Sequence, residues 1–349
     1  MKILHAADLH LDTPFTGRPE EQVRFLKKAL LQVPEKLVRL QKTHGCDLVL
    51  LAGDLFDGPV TVDSLRALKQ ALEEMAVPVF ISPGNHDFCT PDSPYFTEIW
   101  PENVHIFTKP VMESVALPQL DCRVYGAGFT AMDCKALLPG FRAEGNESYH
   151  IALVHGDTTQ RNSPYNPITQ AQVADSGLHY LALGHIHKAG SFFAGDTLCA
   201  WPGCPMGRGN DEAGEKGVYI VTLEDGAAAT FCPLDTPRFY DLEAEVLTTA
   251  EETVQSLLPP VGNDHFYRIT LVGECTPFAA LSFPDFPHLE IRDNTMPPAP
   301  LWDCIGQDSL EGVYFRMLHD LLDTEEGEDA LLAAKISRRI LNGREVILP

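Results

Sequence analysis

Positive charge is scarce in this sequence. Lys and Arg number 26 against 49 Asp and Glu, a formal net charge of −23 over 349 residues. Such a surface repels polyanions over most of its area, so bulk electrostatics lend no support to nucleic-acid binding. Contact with DNA would need bound cations, a local basic patch or a partner that carries the charge. Long apolar runs are missing too. No stretch approaches the ~18 residues of a membrane span, so no membrane association is expected. The opening "MKILHAADLHLD" turns polar too early for a signal peptide and reads as a first core strand, which makes the expected location cytoplasmic. The nine cysteines (46, 89, 122, 134, 199, 204, 232, 275, 304) are scattered and include no C-x-x-C pair. That pattern fits reduced, buried thiols better than a zinc ribbon or a disulfide framework. There are no internal repeats and no low-complexity tracts.

What is present is an ordinary globular composition, 44% hydrophobic and 21% charged, long enough for one large domain and a smaller one. Strands are predicted at "KILHAA" (2–7), "CDLVLLAG" (46–53), "VPVFIS" (77–82), "RVYGAGF" (123–129), "HIALVHG" (150–156) and "YLALGH" (180–185). Between the first two, Val23, Leu26, Leu30, Val33, Leu37 and Leu40 recur at a helix period, which Pro34 should kink or split. Val62, Leu65, Leu68, Leu72 and Met75 repeat the pattern before the third strand. Alternation alone reads as an open, layered α/β sheet with ligands at the carboxyl ends of its strands. Residues 191–234 turn to β-hairpins, and "DTPRFY" (235–240) reads as a linker. A small α+β module follows, with a helix at 249–258 and a strand at 266–273, and Pro-rich 296–300 marks a second linker.

The strands end on an unusual set of residues. The first ends in Asp8 and His10, the second in Asp54 and Asp57, and the third in "GNHD", which gives Asn85, His86 and Asp87. His155 follows the fifth, and His185 and His187 the sixth. An i, i+2 pair in extended chain points to one side, so Asp8/His10 and His185/His187 should each reach into one site. Carboxylate, imidazole and amide donors together suit two divalent metal ions, Mn first, with Fe, Zn, Co or Ni as alternatives. The donors are too many for one ion. Two ions ~3.5–4 Å apart could clamp an in-line phosphoryl displacement, with Asp54 as the natural bridge. The other eight histidines (5, 44, 105, 150, 179, 265, 288, 319) lack this context and read as structural or solvent-facing.

The series D-x-H, G-D-x-x-D, G-N-H-D, a lone His and G-H-x-H, in that order over roughly residues 1–234, resembles the calcineurin-like metallophosphoesterase superfamily. Within it, "KILHAADLHLDTPF" and "CAWPGCPMGRGNDEAGEKGVYIV" are similar to the SbcD/Mre11 type of DNA repair exonuclease subunit, in its short, YhaO-like branch. The resemblance implies a four-layer β-sandwich flanked by helices, with a small C-terminal α+β capping domain and a helical tail. The corresponding boundaries are 1–236, 237–300 and 301–349. It implies that Asp8, His10, Asp54 and His187 hold one metal, and that Asp54, Asn85, His155 and His185 hold the other. His86 would act on the scissile phosphate, and Asp87 would orient His86 or its loop. It further implies nuclease activity on DNA ends, partnership with an SbcC/Rad50-like ATPase, and possible homodimers; the alternatives are a hydrolase of small phosphodiesters or nucleotides and a non-catalytic, metal-stabilised scaffold for the ATPase.

Two departures from that pattern stand out. Asp12 occupies a position that is often Gly in the longer nucleases and reads as structural or supporting. Residues 241–349 match those nucleases poorly, so DNA contacts made there do not carry over. In the tail, Leu310, Val313, Tyr314, Met317, Leu318 and Leu321 form one apolar stripe, and Leu331, Leu332, Ile336, Ile340 and Leu341 another. Either stripe could pack internally or dock a partner. Lys335, Arg338, Arg339 and Arg344 form a basic cluster open to a partner or to DNA.

Overall fold

The computed structural model, which describes residues 1–298 and 300–343, divides the helical stretch around Pro34 in two. Helix α1 (Glu20–Leu31) stops before Gln32, and α2 (Val33–His44) carries Pro34 in its first turn, where the missing N–H has no helical partner to lose. Left-handed Gly45 (φ 61°) then ends α2. The remaining helices are α3 (Val62–Met75), α4 (Pro94–Thr97), α5 (Gln170–Ala174), α6 (Ala250–Leu257), α7 (Leu310–Asp320) and α8 (Gly327–Leu341).

The strands, in chain order, begin with β1 (Lys2–Ala6), β2 (Leu48–Leu51), β3 (Val79–Ile81), β4 (Val104–Ile106) and β5 (Glu113–Leu117). Next come β6 (Cys122–Gly126), β7 (Tyr149–His155), β8 (Tyr180–Gly184), β9 (Gly190–Ala194) and β10 (Thr197–Trp201). The last are β11 (Gly217–Leu223), β12 (Ala227–Pro233), β13 (Phe239–Glu245), β14 (Phe266–Val272) and β15 (Leu289–Asp293). They form sheets of order β12-β11-β1-β2-β3-β4, β5-β6-β7-β8-β10-β9 and β13-β14-β15.

The first two sheets are mixed, with parallel centres: β1, β2, β3 and β4 run parallel, as do β6, β7, β8 and β10. Period-2 alternation assigns each side chain to a layer. Leu4, Ala6, Val49, Leu51, Val79 and Ile81 pack under α1–α3, against Leu26, Leu30, Leu37, Leu68 and Leu72. Ile3, Leu48, Leu50 and Phe80 point the other way, into Ile151, Leu153, Tyr180 and Ala182 of the second sheet. That sheet's outer face, with Ala152, Val154, Leu181 and Leu183, is covered by Val173, Leu178 and Leu138. The open single sheet read from alternation is therefore corrected to a helix-flanked sandwich. Strands apolar on both faces need cover on both sides, and periodicity does not say whether a helix or a second sheet supplies it. The short strands β4 and β5 escaped the sequence reading because their side chains are mostly half-exposed and carry little pattern.

The chain divides into two compact units, one of Met1–Asp241 with Asp264–Arg268, the other of the described residues in Leu242–Asn263 and Ile269–Pro349. Segment 235–240, read as a linker, buries Thr236 and Phe239 in the first unit. All nine cysteines are free, and all but half-buried Cys232 are buried. In the second unit α7 and α8 bury Phe315 and Ala334 against Cys304, with Trp302, Ile305 and Leu318 at the edge. The predicted stripe thus faces largely outward: Leu310, Val313, Tyr314 and Met317 are exposed, as are Leu331, Leu332, Ile340 and Leu341. The basic cluster is mostly spent within the unit. Arg338 pairs with Glu311 and Asp303 and lies over the Phe315 ring, while Arg339 pairs with Glu245. Arg344 and Ala299, within the 296–300 linker, lie outside the described residues.

His5 gives the sandwich a pH-dependent joint. Fully buried, it donates from Nε2 to the Leu183 carbonyl (3.1 Å) and accepts at Nδ1 from the Tyr180 hydroxyl (2.6 Å). Burial lowers its pKa from 6.5 to about 3, against the raising effect of the Leu183 bond. The unfolded chain therefore binds a proton between these values that the fold refuses. The contribution of His5 is complete above pH ~6.5 and is lost as pH falls towards 3. Urea titrations should show the stability of the wild type falling between pH 6.5 and 5 by about 2 kcal/mol more than that of the His5→Leu/Tyr180→Phe variant. Parallel pH profiles for the two proteins would refute this.

Candidate metal centre

The carboxyl ends of β1, β2 and β3 in one sheet and of β7 and β8 in the other deliver their terminal loops to one place. The backbone there is unusual. Asp8, His10, Asp54 and His185 all have left-handed φ angles (52°, 47°, 51° and 91°). Each such residue costs on the order of 1–3 kcal/mol, and they concentrate where a fold must aim side chains. Asp8 and His10 thus converge through a kinked loop, whereas extended alternation was expected. Glycine makes the close approach possible at two points. A Cβ on Gly53 (φ 85°) would lie 2.4 Å from His155 Nδ1, and one on Gly84 would lie 2.2 Å from Asp54 Oδ1.

All eight sequence-derived residues assemble here. Ligand-type atoms of Asp8, His10, Asp54 and His187 lie within 4.8 Å of one another. His10 Nε2 and His187 Nε2 are 3.2 Å apart. On the other side of Asp54, His155 Nε2 is 3.3 Å from Asp54 Oδ2 and 2.9 Å from Asn85 Oδ1, and His185 Nδ1 is 3.2 Å from the same Asn85 oxygen. His185 and His187 therefore serve adjacent halves of the site, with His187 beside His10 and His185 beside Asn85. His155 Nδ1 donates to the Ala52 carbonyl (3.0 Å), which turns Nε2 inward. His86 projects from the edge, its side chain 42% exposed, and donates from Nδ1 to Asp57 Oδ1 at 3.2 Å.

The electrostatics suit cations. Burial pushes Asp8 up to about 6, although His155 and His187 oppose it. Burial pulls Asp54 upward as well, but the ion pair and hydrogen bond with His155, then His10, hold it below the usual carboxylate range. Burial would lower His155, yet Asp54 outweighs it and lifts the imidazole to about 9. Burial holds His10 at about 3 and His185 at about 4, so both stay neutral donors. The hydrogen bond that His86 donates to Asp57 raises His86. Two imidazole nitrogens facing each other at 3.2 Å, one from buried His10 and one from half-buried His187, beside the buried carboxylates of Asp8 and Asp54 and with His10 Nδ1 lacking any hydrogen-bond partner, are donors that fit divalent metal ions. The donor set can hold a pair of them, with Asp54 between the two halves.

The surrounding shell contains residues that sequence reasoning missed or left unused. Asp57 was noted at the end of β2 but given no role. It holds His86, lies 3.7 Å from His10 Nδ1, accepts from Thr13 (3.2 Å) and pairs with Arg208 (3.4 Å). Arg208 and Glu212 reach the site from the loop after β10; both lie in the stretch 199–221 that carried the resemblance, but sequence reading assigned them no role. Asp87 spans its own loop, accepting from the backbone N–H of Gly84 (2.7 Å), Asp54 (3.2 Å) and Leu55 (2.7 Å) and from the Tyr95 hydroxyl. It fixes the loop, while Asp57 fixes the His86 ring. Asp12 accepts from Thr61 N–H (3.0 Å), Thr61 Oγ1 and Ser64 Oγ at the start of α3, a structural role.

Sequence comparison finds the metallophosphoesterase YhaO of Bacillus subtilis (strain 168), itself uncharacterized, 33% identical over 248 residues. That match covers 65% of this chain and 58% of YhaO, so this chain spans little more than half of that relative's length. The SbcD component of nuclease SbcCD from the same organism is 26% identical over 277 residues, covering 66% of this chain and 68% of the relative. Among solved structures, a dimetal phosphatase from Danio rerio aligns with a TM-score of 0.41 at 12% identity, covering 64% of this chain and 92% of that one. Residues 1–189, which carry every strand-end donor but none of the second unit, match the calcineurin-like phosphoesterase family model, and the chain belongs to that family.

Proposed function

We propose that this protein is a dimetal-dependent phosphodiesterase that cleaves DNA in the cytoplasm, working with an ATPase of the SbcC/Rad50 kind. The observation that carries the reading is the position of Asp54, whose carboxylate lies within 4 Å of both His10 and His155. In this reading Asp8, His10, Asp54 and His187 hold one divalent ion, and Asp54, Asn85, His155 and His185 hold the second. Mn²⁺ is the first choice for this oxygen- and imidazole-rich set, and Fe, Zn, Co and Ni suit the same donors. When bound, such a pair supplies Lewis-acid stabilisation of phosphoryl charge and an acidified water. The chain's own residues do the rest. Asn85 offers an oxygen donor without adding negative charge where a phosphate must approach. His86 donates through Nδ1 to Asp57, which favours its imidazolium form, and that form can donate the Nε2 proton to the leaving oxygen. Exposed Leu310, Val313 and Met317 on α7 support a helical partner surface.

The net charge of −23 favours a second reading, in which the substrate is a small phosphodiester or nucleotide. Mn²⁺-supplemented hydrolysis of bis-p-nitrophenyl phosphate, single-stranded DNA and double-stranded DNA separates the two. Cleavage of the ester and of DNA is expected, with the DNA rate falling steeply as salt rises. Ester cleavage with DNA untouched would transfer the assignment to small diesters. A metal-loaded protein inert on all three would overturn both.

A further inference from the structure

We infer that Glu212, neutralised by Arg208, is a positioning residue that fixes the tautomer of His187 and thereby builds the half of the metal centre that His187 shares with His10; the inference rests on the metal-dependent reading above. The argument starts from one contact. Glu212 Oε1 lies 2.7 Å from His187 Nδ1. A carboxylate has no proton to donate, so the contact is attractive only if Nδ1 carries hydrogen. A bare nitrogen lone pair facing a carboxylate oxygen at that distance would repel it. The Nε2 lone pair is then free, and it is Nε2 that lies 3.2 Å from His10 Nε2. In water the two tautomers of an imidazole differ little. Here the loop after β10 chooses between them.

Glu212 can do this only if its own charge is satisfied, because its side chain is 7% exposed. An unpaired carboxylate at that depth would cost several kcal/mol. Arg208 answers it through Nε, at 3.1 and 3.2 Å from the two carboxylate oxygens, and through Nη2. The Arg208 backbone N–H adds a bond to Oε2 at 2.8 Å, and the Cys204 thiol approaches the same oxygen at 3.6 Å. The carboxylate is thus locked in place from four directions, and its remaining direction is His187. Lys216 Nζ, 3.1 Å from the His187 carbonyl, anchors the backbone of the same residue. Arg208 Nη2 also lies 2.9 Å from His187 Nδ1, a contact that a bare Nδ1 would favour, but the Glu212 carboxylate is nearer at 2.7 Å and sets a full negative charge against that form. Two neighbouring imidazoles of the centre are held differently. His155 uses the Ala52 carbonyl, and His10 Nδ1 has no hydrogen-bond partner. His187 is also the more exposed of the two histidines on its half, with a side chain 27% exposed against 0% for His10, and so has the greater need of an external hold.

The test has two readouts. In metal-free wild type, the side-chain ¹⁵N shifts of His187 should report a single tautomer, protonated at Nδ1. In Glu212→Gln they should move towards a mixture. Mn²⁺ titration should give two equivalents in the wild type. In Glu212→Gln one of the two should weaken by about 10–100-fold and the other should stay within about threefold. Because Glu212→Gln alone leaves Arg208 without its anion, the double variant Glu212→Gln/Arg208→Met removes both charges and should show the same selective loss with a folded chain. Unchanged ¹⁵N shifts together with wild-type affinity for both equivalents, in either variant, would overturn the inference. So would equal weakening of both equivalents. If the wild type binds no metal, the metal-dependent reading fails, while the ¹⁵N shifts still decide whether Glu212 sets the tautomer.

Discussion

Asp54→Asn is expected to bind at most one equivalent of Mn²⁺ and to hydrolyse bis-p-nitrophenyl phosphate at least ~10³-fold more slowly, a loss of about 4 kcal/mol of transition-state stabilisation. Asparagine keeps the shape and the oxygen that accepts from the His86 N–H at 2.9 Å, so the loop after β3 should survive. What disappears is the anion between the two halves. His10 (3.9 Å) and His155 (3.3 Å) both lean on Asp54 Oδ2. His155 is fully buried and, in the metal-free protein, protonated by virtue of that carboxylate. Without it burial returns His155 to the neutral form, and the variant loses the ion pair and hydrogen bond that the two groups make in the fold. The metal-free variant should therefore also melt earlier than metal-free wild type. Isothermal titration, steady-state rates and thermal melts give the three readings. Two equivalents bound with a rate within tenfold of wild type would refute the shared role of Asp54.

His86→Ala should behave in the opposite way on metal binding. The variant should keep both equivalents of Mn²⁺ and its melting temperature, because His86 is half-exposed at the edge of the site, where it bonds Asp57 and touches the His10 ring edge-on. Turnover should fall about 10²–10⁴-fold on a substrate whose leaving group is an alkoxide, the range for loss of a positioned proton donor. The loss should be much smaller on bis-p-nitrophenyl phosphate, since p-nitrophenolate departs without a proton. Losses of equal size on the two substrates would mean that His86 stabilises phosphoryl charge and does not serve the leaving oxygen. Weaker metal binding in the variant would remove it from the catalytic role altogether.

Much of this site was legible in the sequence because strand-end residues are local. A strand that is followed at once by Asp, His or Asn announces itself, and such ends gather at the carboxyl edge of strands that run parallel. The helix period around Pro34 was legible for the same reason, since both the pattern and the break lie within a few turns. Asp57 shows the limit. It was visible beside Asp54, yet nothing local distinguished a carboxylate that orients His86 from one that caps a turn. Asp12, equally visible and equally acidic, turned out to bind Thr61 and Ser64.

The sequence alone determined which ligand-type residues end the strands, the order in which they come and the apolar alternation that obliges β1–β3 to be covered on both faces. The tertiary structure decided what covers them, a second sheet on one side and helices on the other, because a hydrophobic face does not specify its partner. It also decided which imidazoles face which. His185 and His187, two residues apart, part to opposite halves of the site because His185 takes a left-handed backbone. Glu212 and Arg208 became part of the centre only through the fold. They lie 25 and 21 residues beyond His187 along the chain, and hydrogen bonds between side chains that far apart obey no period that a sequence can display.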